Sequence, residues 1–138
     1  MTPEALFTAA LQLEAGWKVG ECRFEGEPRR LVLKLDFEEG KRFGCPQCGK
    51  LCPTHDTSIK RWRHLNFFQY ECLLEARVPR SNCPEHGVLS VAVPWAREGS
   101  GFSLLFEALA MLLCREMPMA AVADALGGAA VEAEHVLV

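Results

Sequence analysis

The sequence lacks any apolar run long enough to cross a membrane. A transmembrane helix needs about 18 consecutive apolar residues, and the longest candidate, 104–114, is interrupted by Glu107. The N-terminus also lacks a basic segment followed by an apolar stretch, so no signal peptide is predicted. We therefore expect a cytoplasmic chain with no membrane partner.

The sequence also lacks the residue groups that catalysis commonly uses. It has no Ser/His/Asp grouping, no glycine-rich loop that would cradle a phosphate, and no spaced set of carboxylates for catalytic magnesium. We therefore predict no catalytic residues, no small-molecule substrate and no enzymatic activity for this chain.

The charge of the chain is unevenly distributed. The net charge of −3 over 138 residues argues against a bulk polyanion binder, but residues 41–80 alone carry eight basic and three acidic side chains. Residues 1–40 and 81–138 are both acidic. Because local charge governs contact with nucleic acid, the middle of the chain is the candidate nucleic-acid surface.

Two five-residue segments repeat almost letter for letter: CPQCG at 45–49 and CPEHG at 83–87. Proline at the second position fixes φ, and glycine after the last donor accepts a positive φ, so both segments predict the same sharp turn. We call these turns the first and second knuckle. Together they offer three thiolates and one imidazole, the donor set of a closed structural zinc site. The predicted ligands are Cys45, Cys48, Cys83 and His86.

Other interpretations of the cysteines remain open. The seven cysteines are odd in number, so at least one of them cannot form a disulfide within the chain. Disulfides are also rare in the cytoplasm. The knuckles could be unrelated turns with buried cysteines, Cys52 or His55 could replace a ligand or hold a second ion, and a catalytic zinc or a redox C-x-x-C is a further alternative. Cys22, Cys72 and Cys114 occupy apolar-periodic positions and are predicted to be core thiols.

Hydrophobic periodicity predicts an α+β chain: a small antiparallel, zinc-ribbon-like β module followed by a helical segment that resembles a helix-turn-helix. The β module is placed at 1–98 and the helical segment, truncated at its C-terminus, at 99–138. The 34 residues between Cys48 and Cys83 suit a hairpin inserted between the knuckles. The predicted elements are a helix at 4–13, strands at 17–24, 30–37 and 70–78, a short apolar run at 88–93, and helices at 102–117, 119–126 and 129–138, with Ser103 or Ser100 as N-cap of the first of these and a Gly127-Gly128 turn before the last.

Basic and aromatic residues alternate in KRWRHLNFFQY at 60–70. Such a mixture suits phosphate contacts and stacking on bases, although a strand with inward aromatics and a solvated basic face would have the same pattern. In a strand, Arg61 and Arg63 would lie on one face and Trp62 on the other, and we favour a core position for Trp62. The predicted nucleic-acid-binding residues are Lys60, Arg61, Arg63, His64, Arg77 and Arg80.

The order of these motifs resembles the N-terminal part of bacterial insertion-sequence transposases of the ISL-three family. The resemblance is carried by CPQCG, HD at 55–56, RWRHLNFF at 61–68, ARVPR at 76–80, CPEHG, and VPWAREGSGFS at 93–103. It implies a zinc-binding region and a helix-turn-helix that bind the element's terminal inverted repeats in DNA recombination, ahead of a separate catalytic domain with an Asp-Asp-Glu triad.

Two features depart from that family pattern. The chain stops at Val138, within the predicted recognition helix and before any catalytic domain, and residues 129–138 contain no Lys or Arg. Helices that read the major groove usually carry basic or amide side chains, so this helix is expected to pack or dimerise unless its reading residues lie further on. The predicted function is DNA binding at insertion-element ends. The alternative is a protein-protein or homo-oligomerisation module with a structural zinc.

Overall fold

The computed structural model describes residues 2–13 and 16–126, and it confirms an α+β fold built mostly of strands. The predicted third C-terminal helix at 129–138, with the Gly127-Gly128 turn before it, lies outside the described residues. Within the described part of the chain, no helix is long and apolar enough to span a membrane. In chain order the elements are α1 (Pro3–Ala10), β1 (Trp17–Glu25), β2 (Arg30–Phe37), β3 (Phe43–Gly44), β4 (Leu51–Cys52), β5 (Thr54–Phe67), β6 (Tyr70–Cys83), β7 (Gly87–Ser90), α2 (Leu104–Glu116) and α3 (Met119–Ala125).

The main sheet is mixed, which differs from the antiparallel module expected from the sequence. Its order is β1-β2-β6-β5, with β7 also paired to β6, and β3 and β4 form a separate two-stranded ribbon. The β1-β2 and β5-β6 pairs are antiparallel, whereas β2 runs parallel to β6. Parallel neighbours need a crossover of a dozen or more residues. The chain between β2 and β6 supplies it, because β5 runs back along the outer side of β6.

One face of the main sheet forms the core, and every second residue of its strands points into that face. Leu31, Leu33 and Leu35 of β2 lie beside Cys72, Leu74 and Ala76 of β6 in register, and all six are buried. The strand predicted at 30–37 is therefore confirmed, and its alternating leucines form its inward face. Residues of α1 and of 91–96 cover this face, and Trp62 of β5 lies opposite Leu74 and contacts Trp95 edge to face.

The helical segment has a hydrophobic cluster of its own. Ser103 caps α2 by accepting a hydrogen bond from the Phe106 backbone N–H, as expected, and Pro118 separates α2 from α3. Along α2, Phe106 and Ala110 are buried and Leu109 and Leu113 pack against them, while Leu105 and Leu112 are exposed. Apolar residues surround α2 on more than one side, so periodicity alone could not select the face that meets the sheet.

Candidate metal centre and nucleic-acid interface

The first knuckle is the turn of the β3-β4 ribbon. The Gly49 backbone N–H donates to the Cys45 carbonyl (2.8 Å), the Cys45 N–H donates to the Lys50 carbonyl (2.9 Å), and the Gln47 N–H points at the Cys45 sulfur (3.4 Å). The second knuckle is the turn between β6 and β7, where Cys83 pairs with Gly87. Gly49 and Gly87 have φ of 76° and 75°, so the two sequence copies adopt the same backbone conformation where glycine was predicted to be needed.

The hairpin β5-β6 brings the two knuckles together. Its strands pair from Phe67 and Tyr70 at the tip back to Thr54 and Ser81, and the Asn82 N–H donates to the Pro53 carbonyl (3.1 Å). The residues between the knuckles therefore leave and return to the same place. This confirms the inserted hairpin predicted from the spacing.

One ligand atom from each predicted donor residue lies within 4.8 Å of the other three: Cys45, Cys48, Cys83 and His86. The Cys48 and Cys83 sulfurs are 3.8 Å apart, and the His86 Nδ1 atom lies 3.6 Å from the Cys83 sulfur and 3.8 Å from that of Cys45. In a tetrahedron with Zn–S bonds of about 2.3 Å, two sulfurs lie about 3.8 Å apart. Both the donor set and its spacing fit a closed structural zinc site.

The second knuckle favours the thiolate form of one donor. The Glu85 backbone N–H, followed by the His86 side chain, lowers the pKa of Cys83 to about 6. A thiolate is the form that binds a metal. The geometry of the turn therefore prepares this sulfur for ligation.

The competing donors lie outside the four-residue group. Cys52 is buried beside Cys45 and Cys83, but its thiol donates to the Lys50 carbonyl (3.2 Å), and His55 is exposed. Of the predicted core thiols, Cys72 is fully buried and burial raises its pKa to about 12, whereas Cys22 and Cys114 are half-buried. Among the described residues, only the predicted four form a cluster of this kind.

The six predicted nucleic-acid contacts do not share one face. Alternation along β5 puts Lys60 and His64 on the same side as Trp62, and Arg61 and Arg63 on the other. The Lys60 ammonium donates to the Ser90 hydroxyl (3.3 Å), and Arg61 pairs with Glu75 (2.8 Å).

The last two arginines of the six predicted contacts, Arg77 and Arg80, also have carboxylate partners. Arg77 pairs with Asp36 (3.3 Å) and stacks over Phe37, and Arg80 pairs with Asp56. Exposed pairs of this kind are worth about 0–1 kcal/mol each. The cost of exchanging such a carboxylate for a phosphate is therefore small.

His64 and Arg63 contact the helical segment. The His64 Nδ1 atom lies 2.6 Å from the hydroxyl of Ser103, the cap of α2, and the Ser103 N–H donates to the Arg63 carbonyl (2.9 Å). The Arg63 guanidinium stacks over Phe106 and donates to the Leu126 carbonyl (3.5 Å). Sequence reasoning missed this contact, because cations beside aromatics predict phosphate binding and packing equally well.

His64 should therefore stay neutral well below neutral pH. Burial, followed by the charge of Arg63, lowers its pKa to about 4. The unfolded chain binds this proton near pH 6.5 and the folded chain only near pH 4, so folding should lose stability as the pH falls between these values, by a few kcal/mol at most.

Urea unfolding of the wild type and of His64→Gln between pH 7 and pH 4.5 measures this effect. Both proteins have the same zinc ligands, so the difference between their free energies of unfolding at each pH reports the contribution of His64. An identical pH dependence would contradict the buried position of His64.

Comparison with known proteins gives two family matches that lie side by side. Residues 41–86 match the zinc-finger of transposases IS204/IS1001/IS1096/IS1165, and residues 91–127 match the helix-turn-helix domain of transposase family ISL3. Both matched regions correspond to domains of ISL3-family transposases. The zinc-finger match spans both knuckles and the hairpin between them, and the helix-turn-helix match spans α2 and α3.

The chain is also similar to two proteins from Mycobacterium tuberculosis. Each is a transposase for insertion sequence element IS1557, one from strain CDC 1551 / Oshkosh and one from strain ATCC 25618 / H37Rv, and each is 32% identical over 108 residues. The alignment covers 74% of this chain and 24% of each relative, so the chain spans about a quarter of their length. No solved structure matches.

Proposed function

We propose that this chain is a DNA-binding module of an ISL3-family transposase, with one structural zinc, that recognises the terminal inverted repeats of its insertion element. The observation that carries the proposal is the succession of a zinc-finger match and a helix-turn-helix match in one chain. We assign no catalytic step to the described residues, and the cytoplasmic location stays a prediction.

In this proposal Cys45, Cys48, Cys83 and His86 hold the zinc ion. Its role is to fix the two knuckles to each other, and so to close the ends of the β5-β6 hairpin. Because all four positions are protein ligands, the site has no place for a substrate. This favours a structural over a catalytic metal.

The division into a β module and a helical segment is part of the same proposal. One hydrophobic cluster lies on the sheet and ends at Ala96, and a second begins at Phe102 and includes Phe106 and Val122. The contacts of Arg63 and His64 join the two. A rigid joint of this kind would let both parts meet one DNA duplex in a fixed orientation.

The phosphate contacts are assigned to exposed cations of the β5-β6 hairpin: Lys60, Arg61, Arg77 and Arg80. Arg63 and His64 are better assigned to orienting the helical segment, because their side chains contact Phe106 and Ser103. Replacing Arg63 would therefore disturb folding and binding together.

Removal of Lys60 and Arg61 together should weaken DNA binding about equally on all sequences. Each lost phosphate contact should reduce the slope of log affinity against log salt by about one. Gel-shift assays over a salt series, with duplexes from the element ends and shuffled duplexes, measure both quantities for Lys60→Ala/Arg61→Ala.

Lys18→Ala is the matched control, since Lys18 is exposed on β1 at the far edge of the sheet. If the double variant is folded and binds with the wild-type salt slope, Lys60 and Arg61 do not contact the phosphates and the DNA-binding surface lies elsewhere. Wild-type protein that binds neither duplex would overturn the proposed function itself.

An oligomerisation role is the second candidate, favoured by the exposed side of α2. Leu104, Leu105, Met111 and Leu112 are all about half exposed there. Sedimentation equilibrium separates the two functions: dimers that form with rising concentration, in protein that binds no DNA, would support this candidate.

A further inference from the structure

The tip of the β5-β6 hairpin presents an exposed aromatic ring on a strained backbone. Phe67 pairs with Tyr70, so Phe68 and Gln69 form a two-residue turn, and Phe68 is 85% exposed. Its φ is 54°, in the left-handed region that glycine normally occupies at the first position of such turns. A phenylalanine there contributes neither burial nor favourable backbone geometry. Stability does not explain its presence.

The ring of Phe68 is supported from behind. It contacts Phe67 (ring centroids 4.9 Å apart), and Phe67 in turn contacts Phe7 of α1 (5.4 Å) and Phe24 of β1 (6.3 Å). Phe24 also packs edge to face on Tyr70 (5.1 Å). The exposed ring thus projects from a braced aromatic base and does not hang from a free loop.

The amide side chains of Asn66 and Gln69 flank Phe67 and Phe68. An arginine binds the carbonyl oxygen of each amide. The Arg63 guanidinium donates to the Asn66 side-chain carbonyl (2.7 Å), and Arg29 donates to the side-chain carbonyl of Gln69. With both oxygens occupied by arginines, the amide NH₂ groups remain as donors. Asn66 and Gln69 are exposed. The tip therefore offers hydrogen-bond donors on both sides of an aromatic wedge.

We propose that this tip, Asn66 to Gln69, enters the minor groove of A·T-rich DNA and inserts Phe68 at a base step. The minor-groove edges of A·T pairs carry only acceptors, which complement the amide donors, whereas G·C pairs add a donor of their own. Apolar wedges that partly unstack a step are a known mode of minor-groove binding. Arg29, which is exposed beside Gln69, would lie near the phosphates on that side of the tip. The inference rests on the proposed DNA-binding function and adds a second contact to it.

Replacement of Phe68 by glycine tests the wedge without harming the fold. Glycine relieves the strained φ, so the melting temperature of Phe68→Gly should equal or exceed that of the wild type. DNA affinity should fall by about tenfold or more, as expected when one stacking ring is removed, with the salt slope unchanged. Ile59→Ala is the control, because Ile59 is exposed to 67% on the same strand, nearer its start.

The DNA probes are two matched duplexes, one with a central A·T tract and one with a G·C tract, each carrying at the central step a fluorescent uridine analogue modified at C5, on the major-groove side. Wild-type protein should prefer the A·T duplex, raise the fluorescence of the uridine analogue in it, and lose affinity when netropsin occupies the minor groove. Asn66→Ala/Gln69→Ala should lose the preference for the A·T duplex.

Wild-type affinity and fluorescence in Phe68→Gly would overturn the wedge while leaving the proposed function intact. Failure of the wild type to bind any duplex would overturn the proposed function instead. Loss of self-association in Phe68→Gly, with DNA binding unchanged, would assign the tip to a contact between copies and would also overturn the inference.

Discussion

Replacing Cys48 by serine should unfold the β module, although the Cys48 side chain is exposed. An exposed Cys→Ser change normally costs within about 0.5 kcal/mol. A ligand in a closed zinc site is different, because metal binding in small zinc modules contributes on the order of 10 kcal/mol of folding free energy. Circular dichroism and elemental analysis of protein purified without added metal measure the fold and the zinc content. We expect about one zinc per wild-type chain and far less in the variant.

The chain supplies two matched controls that separate ligation from burial. Cys52 is fully buried beside the knuckles, and Cys114 is half-buried against Met119 (3.3 Å between sulfurs). If burial alone governed the effect, Cys52→Ser would cost more than Cys48→Ser. The zinc site predicts the reverse order, with Cys114→Ser the mildest of the three. Equal effects of Cys48→Ser and Cys114→Ser would show that the ligand assignment is wrong.

Replacing Trp62 by alanine should lower the free energy of unfolding by about 3–5 kcal/mol, the usual cost of deleting a large buried aromatic side chain. Trp62 is 6% exposed, packs against Trp95 and lies opposite Leu74 of the neighbouring strand β6. Urea unfolding followed by circular dichroism measures the loss. DNA affinity of the folded fraction should stay close to that of the wild type.

Phe68→Gly is the informative comparison for Trp62→Ala. Both variants remove an aromatic ring from the hairpin, one from the core and one from the exposed tip. We expect Trp62→Ala to lose stability and keep binding, and Phe68→Gly to keep stability and lose binding. A Trp62→Ala protein with unchanged stability and weaker binding would instead assign Trp62 to base stacking.

The sequence predicted the features that depend on local patterns. The repeated five-residue knuckles predicted both turns and the donor set that the structure brings together, because turn chemistry acts within a few residues. Alternation in 30–37 and 70–78 predicted two strands for the same reason. The core position of Trp62, inferred from its neighbours on a strand, is confirmed by its burial.

The features that the sequence did not predict depend on contacts between distant segments. The parallel pairing of β2 with β6 joins residues about 40 positions apart, for example Leu33 with Leu74. The polar start of β5, at 54–59, has no apolar alternation because it lies on the edge of the sheet. The roles of Arg63 and His64 depended on where α2 docks, which the alternation of cations and aromatics does not encode.

One ion pair with a buried carboxylate shows the same limitation. Glu107 interrupts the apolar run 104–114 within α2, and a charged side chain is expected on the solvent side of a helix. It is buried and pairs with Arg97 (2.7 Å), which lies just before the helical segment. Its partner comes from outside the helix, so helical periodicity gives no sign of the pair.

The most direct test of the zinc-stabilised DNA-binding module is a fluorescence anisotropy titration of labelled insertion-element end DNA with the full chain, before and after zinc removal. The proposed function predicts tighter binding to the ends than to shuffled DNA, loss of that binding after chelation, and its recovery when zinc is returned. Unchanged binding by a metal-free chain, or no preference for the ends by the zinc-loaded chain, would contradict it.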